Sequence, residues 1–259
     1  MRVFAIGDLH LPGGQEKPMD VFGERWAGHG RRIAERWREL VSEEDVVLVP
    51  GDISWAMKLD EARDDLAYLG ALPGRAVIIR GNHDYWWQAI GKVRRALPPN
   101  VAALQNDHVP LGGPWAVCGT RGWVLPGTEG FTEEDRRIYE REVQRLALSL
   151  ESAAKAGLRP VIAMLHFPPA HRDGAPTEFT RLLEEYGVRL CVYGHLHGEA
   201  ARGALRGTHR GVHYELVACD AIGFAPKLVA ELAPGGEPQF TLLAVGAGKA
   251  APAEERRRL

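Results

Sequence analysis

Short, β-rich and almost uninterrupted apolar runs recur along the chain at Arg2–Ile6, Val46–Val49, Ala76–Ile79, Trp115–Cys118, Val161–Leu165, Leu190–Tyr193, Tyr214–Cys219 and Phe240–Val245. Between several of them lie segments with the apolar repeat of a helix, at about Val21–Leu40, Leu59–Leu69, Trp86–Leu97, Glu133–Ala156 and Glu178–Tyr186. Strands that alternate with helices predict a layered α/β domain. Runs such as VIAML and LCVY are apolar at every position, which predicts strands buried on both faces, with helices covering both sides of the sheet. The fourth helix has the clearest ends. Thr132 is its N-cap candidate, Glu133, Glu134 and Asp135 fill the electropositive first turn, and Gly157 follows its end. No repeat or linker divides the chain, so one domain is expected over residues 1–246. The tail 247–259 lacks apolar periodicity and is expected to fray.

Polar chemistry gathers directly after these strands. Asp8-Leu9-His10 closes the first run, Pro50-Gly51-Asp52 the second, and Arg80-Gly81-Asn82-His83-Asp84 the third. His166 follows VIAML, and Gly194-His195-Leu196-His197-Gly198 follows LCVY. In extended backbone, residues two apart project to one face, so Asp8 with His10, and His195 with His197, are each expected to grip one object. Ligands of open α/β sheets bind outside the carboxyl ends of the strands, so these endings are expected to converge on one crevice.

The convergent set is Asp8, His10, Asp52, Asn82, His166, His195 and His197. Two carboxylates, one amide and four imidazoles suit borderline divalent ions such as Zn²⁺, Mn²⁺ or Fe²⁺ better than Ca²⁺, which takes oxygen alone. Seven ligands exceed one tetrahedral site. With one carboxylate bridging they would serve two ions, leaving a local surplus of about two positive charges that would attract phosphate.

Composition narrows the partners. The formal net charge of −2 argues against binding long nucleic acid or anionic lipid through a basic surface. No apolar run approaches the roughly 18–20 residues of a membrane span, and MRVFAIGDLH turns polar too early for a signal peptide, so a cytoplasmic protein is expected. Cys118, Cys191 and Cys219 sit in apolar runs and are expected to be buried free thiols.

In order, D-x-H, G-D, G-N-H-D, a lone His and G-H-x-H resemble the signature of the calcineurin-like metallophosphoesterase superfamily, over roughly residues 1–220. The segments KPMDVFG, PGDISWAM, GNHDYWW and GTRGW resemble a bacterial phosphohydrolase group within it. The resemblance implies a four-layer α/β/β/α sandwich around a dinuclear metal centre. It implies that Asp8, His10 and His197 hold one ion, that Asn82, His166 and His195 hold the other, and that Asp52 bridges. His83 would then be the catalytic histidine that touches the substrate phosphate. The expected reaction is hydrolysis of a small phosphomonoester, phosphodiester or nucleotide by a hydroxide held between the ions. The alternatives are a nuclease with the same metal site and a binding scaffold without catalysis.

One departure stands out. In the Ser/Thr protein phosphatases the second motif continues with an acid and an arginine, whereas this chain has Trp55 and Ala56 there, so His83 is expected to need another orienting partner or none. Candidate substrate residues are Trp55 and Trp86, which could stack on a planar leaving group, and Arg121 and Trp123 of GTRGW. Cys219-Asp220 could line the site or form a plain turn. His29, His108, His171, His209 and His213 fit no ligand position.

Overall fold

A computed structural model describes residues 1–14, 19–233 and 238–240. The tail 247–259, and all but Phe240 of the run expected at Phe240–Val245, lie outside the described residues. Twelve described strands form two six-stranded sheets. In the first, β1 (Arg2–Ala5), β2 (Val46–Val49), β3 (Arg75–Ile78) and β4 (Val101–Ala103) run parallel in that order. Beyond β1 this sheet continues with antiparallel β11 (Lys227–Glu231) and then β12 (Gln239–Phe240). In the second, β6 (Trp115–Thr120), β7 (Arg159–Leu165), β8 (Leu190–Tyr193) and β10 (Val212–Leu216) are parallel neighbours. Antiparallel β5 (Val109–Pro110) and β9 (Gly207–His209) form its edges.

The period-two alternation of side chains sorts the core into three layers. Val3, Ala5, Val46, Leu48, Val77 and Ile79 of the first sheet pack against Val117, Ile162, Met164, Leu190 and Val192 of the second. Phe4, Ile6, Val47, Val49, Ala76 and Ile78 face the other way and meet Ile33 and Trp37 of α1 (His29–Leu40), Leu66 and Leu69 of α2 (Arg63–Gly70) and Val93 of α3 (Ile90–Ala96). The outer face of the second sheet, with Cys118, Ala163, Leu165, Cys191 and Tyr193, packs against Leu146 and Leu150 of α4 (Glu133–Lys155) and Phe179 and Leu183 of α5 (Glu178–Glu185). This is an α/β/β/α sandwich. The strands are buried on both faces in the way that the four-layer sandwich implied by the resemblance requires, rather than by helices on both sides of one sheet: helices close one side of each sheet and the other sheet closes its second side.

Helix ends follow local chemistry. Thr132 accepts from the Asp135 amide and Asp135 accepts from the Thr132 amide, a reciprocal cap of the kind worth about 1 kcal/mol. The helix expected over Val21–Leu40 is broken into two short 3-10 turns, Met19–Phe22 and Glu24–Trp26, followed by α1. The cause is Gly23 at φ 120° and Gly28 at φ 61°, values outside the right-handed helical region. The three cysteines are buried and free. No helix among the described residues is long and apolar enough to cross a membrane.

Candidate metal centre

The ends of β1, β2, β3, β7 and β8 bring all seven candidate ligands together. The segment after β1 runs alongside the one after β2, joined by Asp8 N to Gly51 O at 3.0 Å and His10 N to Asp52 O at 3.0 Å. Asp8, His10, Asp52 and His195 have positive φ (58°, 45°, 52° and 72°), a left-handed conformation that stores strain in residues other than glycine. Shared facing of Asp8 and His10 was expected from extended backbone. It arises instead from this left-handed turn, since β1 ends at Ala5. Two motif glycines make the closeness of the segments feasible. A Cβ on Gly194 would lie 2.3 Å from Asp8 Oδ2, and one on Gly81 would lie 2.1 Å from Asp52 Oδ1.

Ligand-capable atoms of Asp8, His10 and His197 fall within 4.8 Å of one another, as do those of Asp8, Asp52 and His166, so Asp8 belongs to both groups. His10 Nε2 and His197 Nε2 are 3.4 Å apart, and His197 Nε2 is 3.5 Å from Asp8 Oδ1. His166 Nε2 is 3.5 Å from Asp52 Oδ2 and 2.6 Å from Asn82 Oδ1, which also lies 3.0 Å from His195 Nδ1. The His166 tautomer is set from outside: Nδ1 donates to the Pro50 carbonyl at 3.0 Å, leaving a lone pair on Nε2 aimed at the Asn82 oxygen. Two acceptors at that separation repel, and a shared cation removes the conflict. The donor set therefore fits divalent ions bound by nitrogen and oxygen.

Protonation agrees with this use. Burial pulls His10, His166 and His195 down to about 3, so they stand neutral and able to ligate. Burial pushes Asp52 up to about 9, helped by the charges of Asp84 and Asp8 and opposed by the His83 amide. For His197 burial works downward, but hydrogen bonds to Asp220 and Asp8 outweigh it and raise the group to about 10. Ions entering the site would displace the protons held by Asp52 and His197.

Two supporting carboxylates complete the arrangement. Asp220 Oδ1 accepts from His197 Nδ1 at 2.8 Å, and its Oδ2 accepts from Arg25 at 2.6 Å and from the Gly198 amide at 3.1 Å. It holds the candidate ligand His197 rather than serving as a plain turn acid. Replacing Asp220 with Ala is expected to weaken ion affinity 10–100-fold, read by titration of the metal-stripped protein against a chelating indicator. Unchanged affinity would remove this role. Asp84 was seen in the sequence only as the acid following His83. It is fully buried and accepts from the amides of Asp52, Ile53, Ser54 and Gly81 and from Trp86 Nε1. Its identity as the fourth residue of GNHD was the available signal. The number of donors it collects could not be read from one strand end.

A cavity of about 330 Å³ opens onto the centre, lined by His10, Asp52, His83, His195 and His197 on the polar side and by Phe22, Trp26 and Trp55 on the aromatic side. The His83 amide donates to Asp52 Oδ1 at 2.8 Å, and the Trp55 ring lies 4.6 Å from the His83 ring. The orienting partner that the second motif lacks is thus replaced in part by packing. Trp55 also stacks on His10 at 4.8 Å, so much of its face is already covered. Trp86, expected as a stacking platform, is fully buried, because Asp84 anchors its indole N–H. Arg121 and Trp123 are absent from the residues lining this cavity. Arg121 lies 3.5 Å from buried Glu142 and 4.5 Å over the Trp123 ring, while Trp123 donates to Asp135 at 2.9 Å. Among the histidines set aside, His29 bonds the carbonyls of Leu9 and His10 and braces the turn that carries His10.

Strand ends that gather imidazoles, carboxylates and an amide in an α/β/β/α sandwich define a class, a sandwich with a candidate metal centre. The chain belongs to the calcineurin-like phosphoesterase family, a family of metal-dependent phosphoric ester hydrolases, whose model matches residues 1–199. It is 40% identical over 84 residues to the Gene 66 protein of Mycobacterium phage D29, a match covering 32% of this chain and 40% of that protein's length. The crystal structure of phosphopantetheinyl hydrolase (PptH) from Mycobacterium tuberculosis superposes with a TM-score of 0.53 at 18% identity, covering 92% of this chain and 98% of that one. The protein of unknown function AQ665 from Aquifex aeolicus gives a TM-score of 0.48 at 14% identity, covering 87% and 94%.

Proposed function

We propose that the protein hydrolyses a small phosphoric ester at a centre of two divalent ions, with Mn²⁺, Fe²⁺ and Zn²⁺ as the candidates. Support comes chiefly from two donor groups gathered beside one cavity, which His10, Asp52 and His197 of those groups line. Asp8, His10 and His197 would hold one ion and Asn82, His166 and His195 the other, with Asp52, whose Oδ2 lies 3.9 Å from His10 Nε2 and 3.5 Å from His166 Nε2, serving both. When bound, the ions would supply Lewis acidity towards the phosphoryl oxygens and activate a water at neutral pH.

The remaining work falls to the chain. His83 lines the cavity beside the candidate ligands, and its imidazole would stabilise charge on the phosphoryl group or protonate the leaving oxygen. Asp52 would fix the His83 backbone through its amide, and Trp55 would hold the ring's tilt. The cavity volume suits a small ester. The test is a panel of an aryl phosphomonoester, an aryl phosphodiester, nucleotides and a phosphopantetheinyl ester, given to metal-loaded protein of measured ion content. Hydrolysis of at least one, abolished by chelation and restored by one of the three ions, is expected. No turnover by protein carrying two ions per chain would reject catalysis in favour of a binding scaffold.

A further inference from the structure

A second cavity, of about 250 Å³, lies outside the metal centre and is lined by Arg80, Arg121, Arg145, Glu142, Thr120 and Gln105 among others. Its electrostatics are unbalanced. Glu142, fully buried on α4, is its one acidic wall residue among the described residues. Its carboxylate accepts from Thr120 at 2.6 Å and Arg145 at 2.7 Å and lies 3.5 Å from Arg121. The guanidiniums of Arg121 and Arg145 thus flank a single carboxylate, and a third arginine, Arg80, lines the same cavity. A guanidinium cannot shed its proton, so a surplus of two positive charges stays in the cavity at any physiological pH.

Two donors there are also unmet. Arg80 Nε and Arg121 Nε are buried and have no hydrogen-bond partner among the described residues. Each such group carries an uncompensated desolvation penalty, which an acceptor in the cavity would relieve. Burial disfavours the charge on Arg121, Glu142 supports it, and the fields of Arg80, Arg145 and Arg141 oppose it, so the arginines act on one another at short range. An ion pair deeper in the core would be expected to come with matched charge, and this cluster lacks it.

We propose that this cavity is an anion site, separate from the metal centre, that takes one phosphate group. Planar guanidinium forks match phosphate oxygens in pairs, and three of them converge on a space large enough for the group. The inference holds whether or not the metal centre is catalytic. The phosphate comes either from a doubly phosphorylated substrate or from free inorganic phosphate.

Calorimetric titration of the metal-loaded full chain with inorganic phosphate tests this. Wild type is expected to bind one phosphate more per chain than Arg145→Gln, or to bind that phosphate at least tenfold more tightly. Arg145 also pairs with buried Glu142, so Arg80→Gln, which leaves that pair intact, serves where the first variant fails to fold. Identical phosphate binding in wild type and both variants would overturn the site. A metal centre that binds no phosphate would lower the total by one in every protein and leave the difference between them, so the two failures are distinguishable. Kinetics then identify the source. A larger rise in KM for a bisphosphorylated substrate than for an aryl monophosphate in Arg145→Gln marks a second substrate phosphate. An equal effect on both marks free phosphate.

Discussion

Replacing His83 with Ala is expected to lower kcat by ~10²–10⁴-fold, the range for loss of a positioned acid or base, while both ions stay bound. The separation of the two effects follows from geometry. His83 contributes no atom to either ligand group, and the bond that ties it to Asp52 comes from its backbone amide, which Ala keeps. The check is turnover of the best substrate of the panel together with ion content by elemental analysis. A variant with two ions and wild-type kcat would show that His83 only packs. A Trp55→Phe variant would retain an aromatic neighbour for the ring and is expected to lose far less.

Asp84→Ala is expected to have the largest effect on stability, about 3–5 kcal/mol, well beyond the usual surface substitution. Four backbone amides and one indole N–H point at this carboxylate in a fully buried position, and Ala would leave all five without an acceptor. At roughly 2–4 °C per kcal/mol for a chain of this size, the melting temperature should fall by about 10 °C. Asp84→Asn keeps one acceptor oxygen and is expected to fall between the two. Thermal unfolding of metal-stripped protein isolates this term, because ion binding would otherwise add stability of its own. A melting temperature within 2–3 °C of wild type for Asp84→Ala, roughly what 1 kcal/mol would shift, would show that water replaces the carboxylate at little cost.

The two predictions mark the limits of the linear sequence. Residues that would touch the ions announce themselves, since Asp8, His10, Asn82, His195 and His197 stand in short motifs at strand ends. The residues that hold those motifs in place do not. Asp84 serves the Gly81 amide at its own strand end and three amides at the end of β2, 30 to 32 positions away along the chain, and Asp220 meets His197 from 23 positions away. Nothing in the neighbourhood of Asp220 distinguishes it from a turn acid, and for Asp84 the GNHD motif marks the position without showing the donors it gathers. Trp86 illustrates the opposite error. An aromatic residue next to a catalytic motif invites a role in substrate stacking, but its indole is drawn inward by Asp84 and its ring joins the helical side of the first sheet.

Strands and helices were legible where the pattern was long or the ends capped. Helix α4, with its reciprocal Thr132–Asp135 cap, begins at the residue expected, whereas α3 starts four residues later than the apolar spacing suggested. The strands that escaped notice, β4, β5, β9 and β11, are short or carry charged and small residues, as edge and antiparallel strands do.

By itself the sequence determined the alternation of strands and helices, the burial of the central strands and the placement of metal-binding chemistry at their carboxyl ends, because periodicity and local motifs are written in neighbouring residues. Only the tertiary structure decided which strands share a sheet and that β11 returns to lie against β1, while the closing of each second face by the other sheet, implied by the family resemblance, is not written in any strand's own pattern. Burial looks the same to a strand whether a helix or another sheet covers it. The left-handed backbone at Asp8, His10, Asp52 and His195 belongs to the same category, since it is imposed by segments that meet only after folding.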